Sequence, residues 1–192
     1  HIASCQEWYN GQDGSERSHN NSLQTATTSR HNSAFEFHSF STQGVYGINF
    51  ALMHFGTDIE RIESSVQMTE TGVDGMESIT LFYKNGRMAV LTHSIYGRSD
   101  RKGIFYGDKG YMIVENINNP QCIKVYDEND QLVQQVEVPK QISGYEYQFE
   151  ESMALIKEGA TESVSMPFEE IITVMEVMDE LRGQWGMKYP GE

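Results

Sequence analysis

The chain has 192 residues with a formal charge of −14, and 38% of its residues are hydrophobic. That length fits one domain of ordinary size, or one domain with an appendage. So acidic a surface repels phosphate backbones and anionic bilayers, so neither nucleic acid nor a membrane surface is an expected partner. No apolar run approaches the roughly 18 residues that span a bilayer, and Cys5 and Cys122 are too few to staple a fold of this size. A reducing cytoplasm is the simplest location.

Residues 1–40 are dominated by Ser, Asn, Thr, Gln and His, and no helical or strand period persists in them. Their composition reads as a flexible or artefactual leader. The alternative is a loop-rich segment that packs through Trp8, Tyr9, Phe35, Phe37 and Phe40, with a short edge strand at 34–40.

The character changes at "STQGVYGINFALMHFG", residues 41–56. Val45, Ile48, Leu52 and Phe55 recur at helical spacing, and Gly56 stands where a C-cap belongs. The spacing predicts a short, mostly buried helix over 45–55. Strand patterns follow at 59–70, 77–83, 88–96, 103–106, 111–115, 122–126 and 132–138. Asn85-Gly86, Gly107–Gly110 and Asp127–Asp130 supply turn chemistry between neighbouring strands. Two helices are predicted next. The first covers 145–158, with Tyr145, Phe149, Met153 and Ile156 on one stripe and Gly159 at its end. The second covers 167–184, with Pro167 in its first turn and a stripe of Ile171, Val174, Met175, Met178, Leu181 and Trp185.

Short strands joined by tight turns predict an α+β fold: an open, mainly antiparallel sheet with helices packed on one face. The opposite face carries apolar residues at consecutive strand positions, such as Met88-Ala89-Val90-Leu91. A partner subunit is the expected cover.

No G-x-G-x-x-G follows a strand, so no cofactor-binding residue is assigned and no Rossmann domain is expected in this chain. There is no P-loop and no G-x-S-x-G. His31 and His38 lack ligands at metal spacing and read as solvated loop residues; no metal site is expected. His54 reads as a partner of the helix C-terminus. His93, inside "VLTHSIY", reads either as a satisfied sheet histidine or as a site residue. Tyr46, in the first turn of the 45–55 helix, reads as a core aromatic or as a site phenol.

From Gly44 to Pro190 the chain resembles the C-terminal domain of the glucose–fructose oxidoreductase / inositol dehydrogenase / rhizopine-catabolism (Gfo/Idh/MocA) family, in its dihydrodiol dehydrogenase-like branch. The resemblance rests on "GVYGINFALMHFG", "TGVDGMESITLFYKNGRMAVLTHSI", "IFYGDKGYMIVE", "NPQCIKVYDENDQLV", "GYEYQFEESMALIKEG" and "MPFEEIITVMEVMDELRGQWGMKYP", in this order. It implies an NAD(P)-dependent oxidoreductase acting on a sugar, polyol or diol hydroxyl. A Rossmann domain would hold NAD or NADP, and the C-terminal domain would shape the substrate pocket and build a dimer or tetramer. Family members open the first helix of that domain with Asp-x-Gly-x-Tyr or Asp-x-Gly-x-His, whose side chains assist proton transfer as hydride moves.

Here the signature reads Thr42-Gln43-Gly44-Val45-Tyr46. Tyr46 is thereby the candidate catalytic residue, and Thr42, Tyr46 and His93 are the candidate substrate-binding residues. Thr42 cannot act as a carboxylate. The implied organisation is an atypical polar segment at 1–43, flexible, artefactual or frame-shifted, followed by a substrate and oligomerisation domain at 44–192. The chain alone is expected to be inactive. The alternative is a non-catalytic binding or assembly module that uses the same sheet.

Overall fold

The computed structural model describes the strand backbone at 22–28 and residues 44–189. In chain order the elements are β1 (Ser22–Thr28), α1 (Val45–Phe55), β2 (Ile59–Met68), β3 (Asp74–Tyr83), β4 (Met88–Ser94), β5 (Gly103–Gly107), β6 (Gly110–Glu115), β7 (Cys122–Asp127), β8 (Leu132–Glu137), α2 (Glu146–Glu158) and α3 (Phe168–Trp185). The strands form one sheet in the order β2-β3-β4-β1-β5-β6-β7-β8. All pairings are antiparallel except β1 with β4, which is parallel.

β1 is a correction to the sequence reading, which assigned no strand to 22–28. "SLQTATT" carries little apolar signal, but it runs between two strong strands and pairs along its length with β4 and over four residues with β5. Ladder hydrogen bonds on both sides supply what the side chains do not announce. The suggested edge strand at 34–40 lies outside the described residues.

The hairpins close where the turn residues stand. Gly86 has φ +83°, its N–H donates to Tyr83 O at 2.9 Å, and Asn85 Oδ1 accepts the Arg87 N–H at 3.1 Å. Asp127 Oδ1 accepts the N–H groups of Asn129 and Gln131 at 2.8 and 2.9 Å, which pins the β7–β8 loop.

Alternation along the strands sorts side chains to two faces. Ile79, Leu81 and Tyr83 of β3, Ala89 and Leu91 of β4, Phe105 of β5, Met112 and Val114 of β6, and Ile123 and Val125 of β7 are buried on one face. Onto that face pack Ile48, Ala51, Leu52 and Phe55 of α1 and Val174, Val177, Met178 and Leu181 of α3. Trp185 Nε1–H donates to Ser64 Oγ at 2.9 Å and fastens the end of α3 to β2.

α2 departs from the expected arrangement, because none of its residues is buried. Tyr145, Phe149, Met153 and Ile156 lie on its expected stripe, yet all are exposed, as are Phe168, Ile171, Ile172 and Met175 in the first half of α3. The core is therefore made by two helices. On the helix-free face, Ser78, Thr80, Phe82, Val90, Thr92, Ile104, Tyr111, Ile113 and Tyr126 are half-buried among one another. The rings of Tyr111 and Tyr126, register partners on β6 and β7, stack at 4.8 Å.

Candidate functional site

The direction of α1 fixes which end of the sheet its first turn occupies. Phe55, at its C-terminal end, meets the rings of Tyr83 and Phe105 at 5.4 and 6.0 Å. Phe50 lies so close to Gly103 that a Cβ there would approach its ring to 2.5 Å. Gly103 pairs with Thr25, Thr25 with Leu91, and Leu91 with Ile79. The helix therefore runs from the His93 end of β4 toward its Met88 end. Four helical residues before Phe50 rise about 6 Å, and two strand residues beyond Leu91 rise about the same. The first turn of α1, with Tyr46, therefore lies toward the end of the sheet that carries His93 and its register partner Glu77.

Tyr46 is 49% exposed, so its ring is not sealed in the core. Tyr83 shows the contrast: it is buried, and burial, reinforced by the charge of Glu170, pushes its hydroxyl well above the usual phenol range. Three residues after Tyr46, Asn49 Oδ1 is buried without a hydrogen-bond partner. α1 begins without a side-chain cap and without an acidic residue in its first turn.

His93 and Glu77 are fully buried, with Nδ1 3.3 Å from Oε1. Asp74, at the start of β3, is buried as well, and Ser94 directs its hydroxyl to Gly75 O at 3.4 Å. The structure therefore brings two of the three candidates, Tyr46 and His93, to one end of the sheet. Thr42 lies outside the described residues, as do His31 and His38. The sequence did not single out Glu77. It stands in a strand among dispersed carboxylates, and only the β3–β4 register gives it a histidine.

His54 corrects a sequence reading. It is 3% exposed, its Nδ1–H donates to Phe50 O at 2.8 Å, and its ring packs on Phe50 and Phe105. Burial lowers its pKa to about 4, against the smaller raising effect of the Phe50 carbonyl. It is a neutral core residue at pH 7, not a cation on the helix dipole. Cys122 is a free, buried thiol pushed up by burial and by Glu137. Among the described residues no cluster of three or more His, Cys, Asp or Glu is arranged to hold a metal ion, and no helix is long and apolar enough to cross a membrane.

The architecture is an eight-stranded, mainly antiparallel sheet with two helices on one face, and comparison with known proteins supplies its class. The family model for the GFO/IDH/MocA C-terminal domain matches residues 13–113, a span that begins before β1. The chain is 30% identical over 149 residues to scyllo-inositol 2-dehydrogenase (NADP(+)) of Bacillus subtilis, covering 78% of this chain and 44% of that enzyme. It is 29% identical over 152 residues to trans-1,2-dihydrobenzene-1,2-diol dehydrogenase of Danio rerio, covering 76% and 46%. Among solved structures, aldose–aldose oxidoreductase of Caulobacter crescentus complexed with glycerol superposes with a TM-score of 0.77 at 12% identity, over 95% of this chain and 57% of that one. The 3-ketoreductase KijD10 of Actinomadura kijaniata with NADP gives 0.75 at 15%, over 94% and 56%. These two show the fold. The chain belongs to the Gfo/Idh/MocA oxidoreductase family and corresponds to its C-terminal domain. It spans less than half the length of the curated relatives it matches.

Proposed function

We propose that this chain is the substrate-binding and oligomerisation domain of an NAD(P)-dependent oxidoreductase acting on a sugar, polyol or diol hydroxyl. The observation that carries this reading is the Gly44-Val45-Tyr46 turn, which presents an exposed phenol at one end of a family sheet. In this role the Tyr46 hydroxyl holds the substrate hydroxyl and assists departure of its proton, and Thr42 and His93 contribute to substrate binding. The relatives named for inositol and dihydrodiol substrates support the substrate class.

A dinucleotide does not fit the residues present. The opening turn of α1 has no basic side chain, the sequence lacks the Gly-rich strand–helix fingerprint, and the chain is acidic throughout its domain. NAD or NADP would sit on another domain of the intact enzyme, and this chain alone would turn nothing over. Calorimetry with NADPH and NADH tests this: saturable binding at micromolar concentration refutes it.

The helix-free face of the sheet is the proposed subunit interface, in a dimer or tetramer. Val90, Ile104, Ile113 and the Tyr111–Tyr126 stack supply its apolar centre. Burying a face of several hundred Å² at about 25 cal/mol per Å² offsets part of the cost of association. Light scattering at tens of micromolar tests it, and a strict monomer refutes it. The free Cys122 thiol suits the cytoplasmic location proposed here.

A further inference from the structure

We propose that the exposed apolar stripe of α2, continued by the first half of α3, is the docking face for the half of the intact enzyme that holds the nicotinamide cofactor. The proposal rests on the oxidoreductase reading above and adds to it the surface by which this chain meets that half.

α2 is a helix without a core. It has 13 residues and none is buried. Tyr145, Phe149, Met153 and Ile156 stand between 54% and 76% exposed. A helix of that length is marginal in water, and helices draw most of their stability from packing an apolar face. Its ends are nonetheless finished. The Glu146 carboxylate accepts the N–H groups of Ile142 and Ser143, and Gly159 closes the helix at φ +72°. Its side is tied down as well. Glu151 accepts the Ser163 hydroxyl, Ser163 Oγ accepts the Met166 N–H at 3.1 Å, and Glu162 accepts the Phe168 N–H at 3.1 Å. This brace joins α2 to the start of α3, where Phe168, Ile171, Ile172 and Met175 are exposed at helical spacing. Side chains of this size, each about half exposed, present roughly 1,000 Å² between them, about what one partner brings to a standard interface.

Charge selects among occupants. Between Tyr145 and Glu180, ten residues are Asp or Glu and one, Lys157, is basic. A second copy laid on this face would set those carboxylates against their own images. Anionic lipid is repelled in the same way. The helix-free face differs: Arg61 pairs with Glu63 and Lys124 with Glu115, each at 2.8 Å, so copies can meet there. The partner of α2 is instead apolar at its centre and cationic around it. A domain that draws in dinucleotide phosphates carries such charge.

Position agrees. Gly103, at the level of Leu91, pairs with Val114; one residue further on, Glu115 pairs with Cys122 and Cys122 with Glu137. β8 therefore ends toward the His93 end of the sheet. The loop to α2 leaves from there: Val138 N–H donates to Gln121 O at 3.0 Å, and a Cβ on Gly144 would meet Asn119 Nδ2 at 2.7 Å. A domain seated on the start of α2 borders the end of the sheet toward which Tyr46 lies. The relatives have the length for it, since this chain spans 44% and 46% of two of them.

The test is hydrogen–deuterium exchange on the full chain, alone and joined behind the unmatched half of the Bacillus subtilis scyllo-inositol 2-dehydrogenase. In the chain alone, the α2 amides are expected to exchange at least about a hundredfold faster than those of β3 and β4, at low and at high protein concentration. In the fusion loaded with NADPH, they are expected to slow at least about tenfold, together with those of Phe168–Met175. Phe149→Ser with Ile172→Ser, both at exposed positions, is expected to restore fast exchange while the core strands stay protected. The chain alone decides against the proposal if α2 is already protected, which means that the chain covers it, or becomes protected on concentration, which means that a copy does. A fusion that binds NADPH and oxidises scyllo-inositol with α2 exchange unchanged overturns the docking face and leaves the oxidoreductase reading standing. One that protects α2 and binds NADPH but oxidises no polyol supports the docking face and overturns that reading.

Discussion

Replacing His54 with Leu should make the protein less sensitive to acid, and the size of the effect follows from the burial of one imidazole. In the folded state His54 lies against Phe50 and Phe105, and desolvation lowers its pKa from 6.5 to about 4. In the unfolded chain the same group titrates near 6.5. Between these values the unfolded state binds the proton and the folded state does not, so stability is complete above pH 6.5 and falls as the pH drops toward 4. The loss from this group is about 2 kcal/mol at pH 5 and about 3 kcal/mol at pH 4, at roughly 1.4 kcal/mol per pH unit. Glu170, which burial holds above the usual carboxylate range, acts in the opposite sense, because as the pH falls the folded state takes up its proton before the unfolded state does. The measurement is therefore a difference between proteins rather than one acid curve. Urea unfolding of the native sequence and of His54→Leu at pH 7, 6, 5 and 4.5 gives that difference directly. The variant loses one buried hydrogen bond at pH 7 and gains on the native protein by about 2 kcal/mol on passing to pH 5. Parallel curves over this range would refute the assignment of His54 as a neutral buried base.

Gly86→Val should destabilise the domain by about 1 kcal/mol or more, because φ at this turn is +83° and a β-branched residue is strained there; an unchanged melting temperature counts against it. Gly103→Ala should cost about 1–3 kcal/mol, since the added Cβ would approach the Phe50 ring to 2.5 Å and Ile117 Cγ2 to 2.9 Å; thermal unfolding reads it, and a neutral outcome means that α1 can shift. In an intact relative with tyrosine at the matching position, Tyr→Phe should lower kcat more than it raises KM, because the phenol acts in the proton-transfer step; an unchanged kcat removes Tyr46 from the catalytic role. Ile113→Asp with Val90→Asp, on the helix-free face, should give a folded monomer by light scattering where the native chain associates.

Much of the fold was legible because two kinds of signal agreed. Helical spacing over Val45–Phe55 and turn chemistry at Asn85-Gly86 and Asp127–Asp130 each act within a few residues, and both survive folding with boundaries shifted by little. β1 was illegible for the opposite reason. "SLQTATT" has almost no apolar residue with which to mark a face, and its place is set by backbone pairing to β4 and β5, strands more than sixty residues away in sequence. α2 misled in another way. Its stripe of Tyr145, Phe149, Met153 and Ile156 has the period of a buried helix, but period says only that a face is apolar, not that this chain covers it.

The site divides along the same line. Tyr46 could be singled out because its neighbours in sequence, Gly44 and Val45, are its neighbours in the motif, and because a first-turn position is local knowledge. Glu77 could not. It is one of 28 acidic residues, and nothing within ten residues of it differs from a solvated strand carboxylate. What distinguishes it is a pairing across the β3–β4 hairpin, fixed by the length of the turn at Lys84–Arg87: a two-residue slip would put Glu77 opposite Leu91 or Ile95 instead of His93. A one-residue slip would turn it to the other face, where water reaches it and no histidine waits. The approach of Glu77 to His93 is therefore set at the far end of the hairpin, by Gly86 at φ +83°, which holds the register that places a carboxylate beside an imidazole.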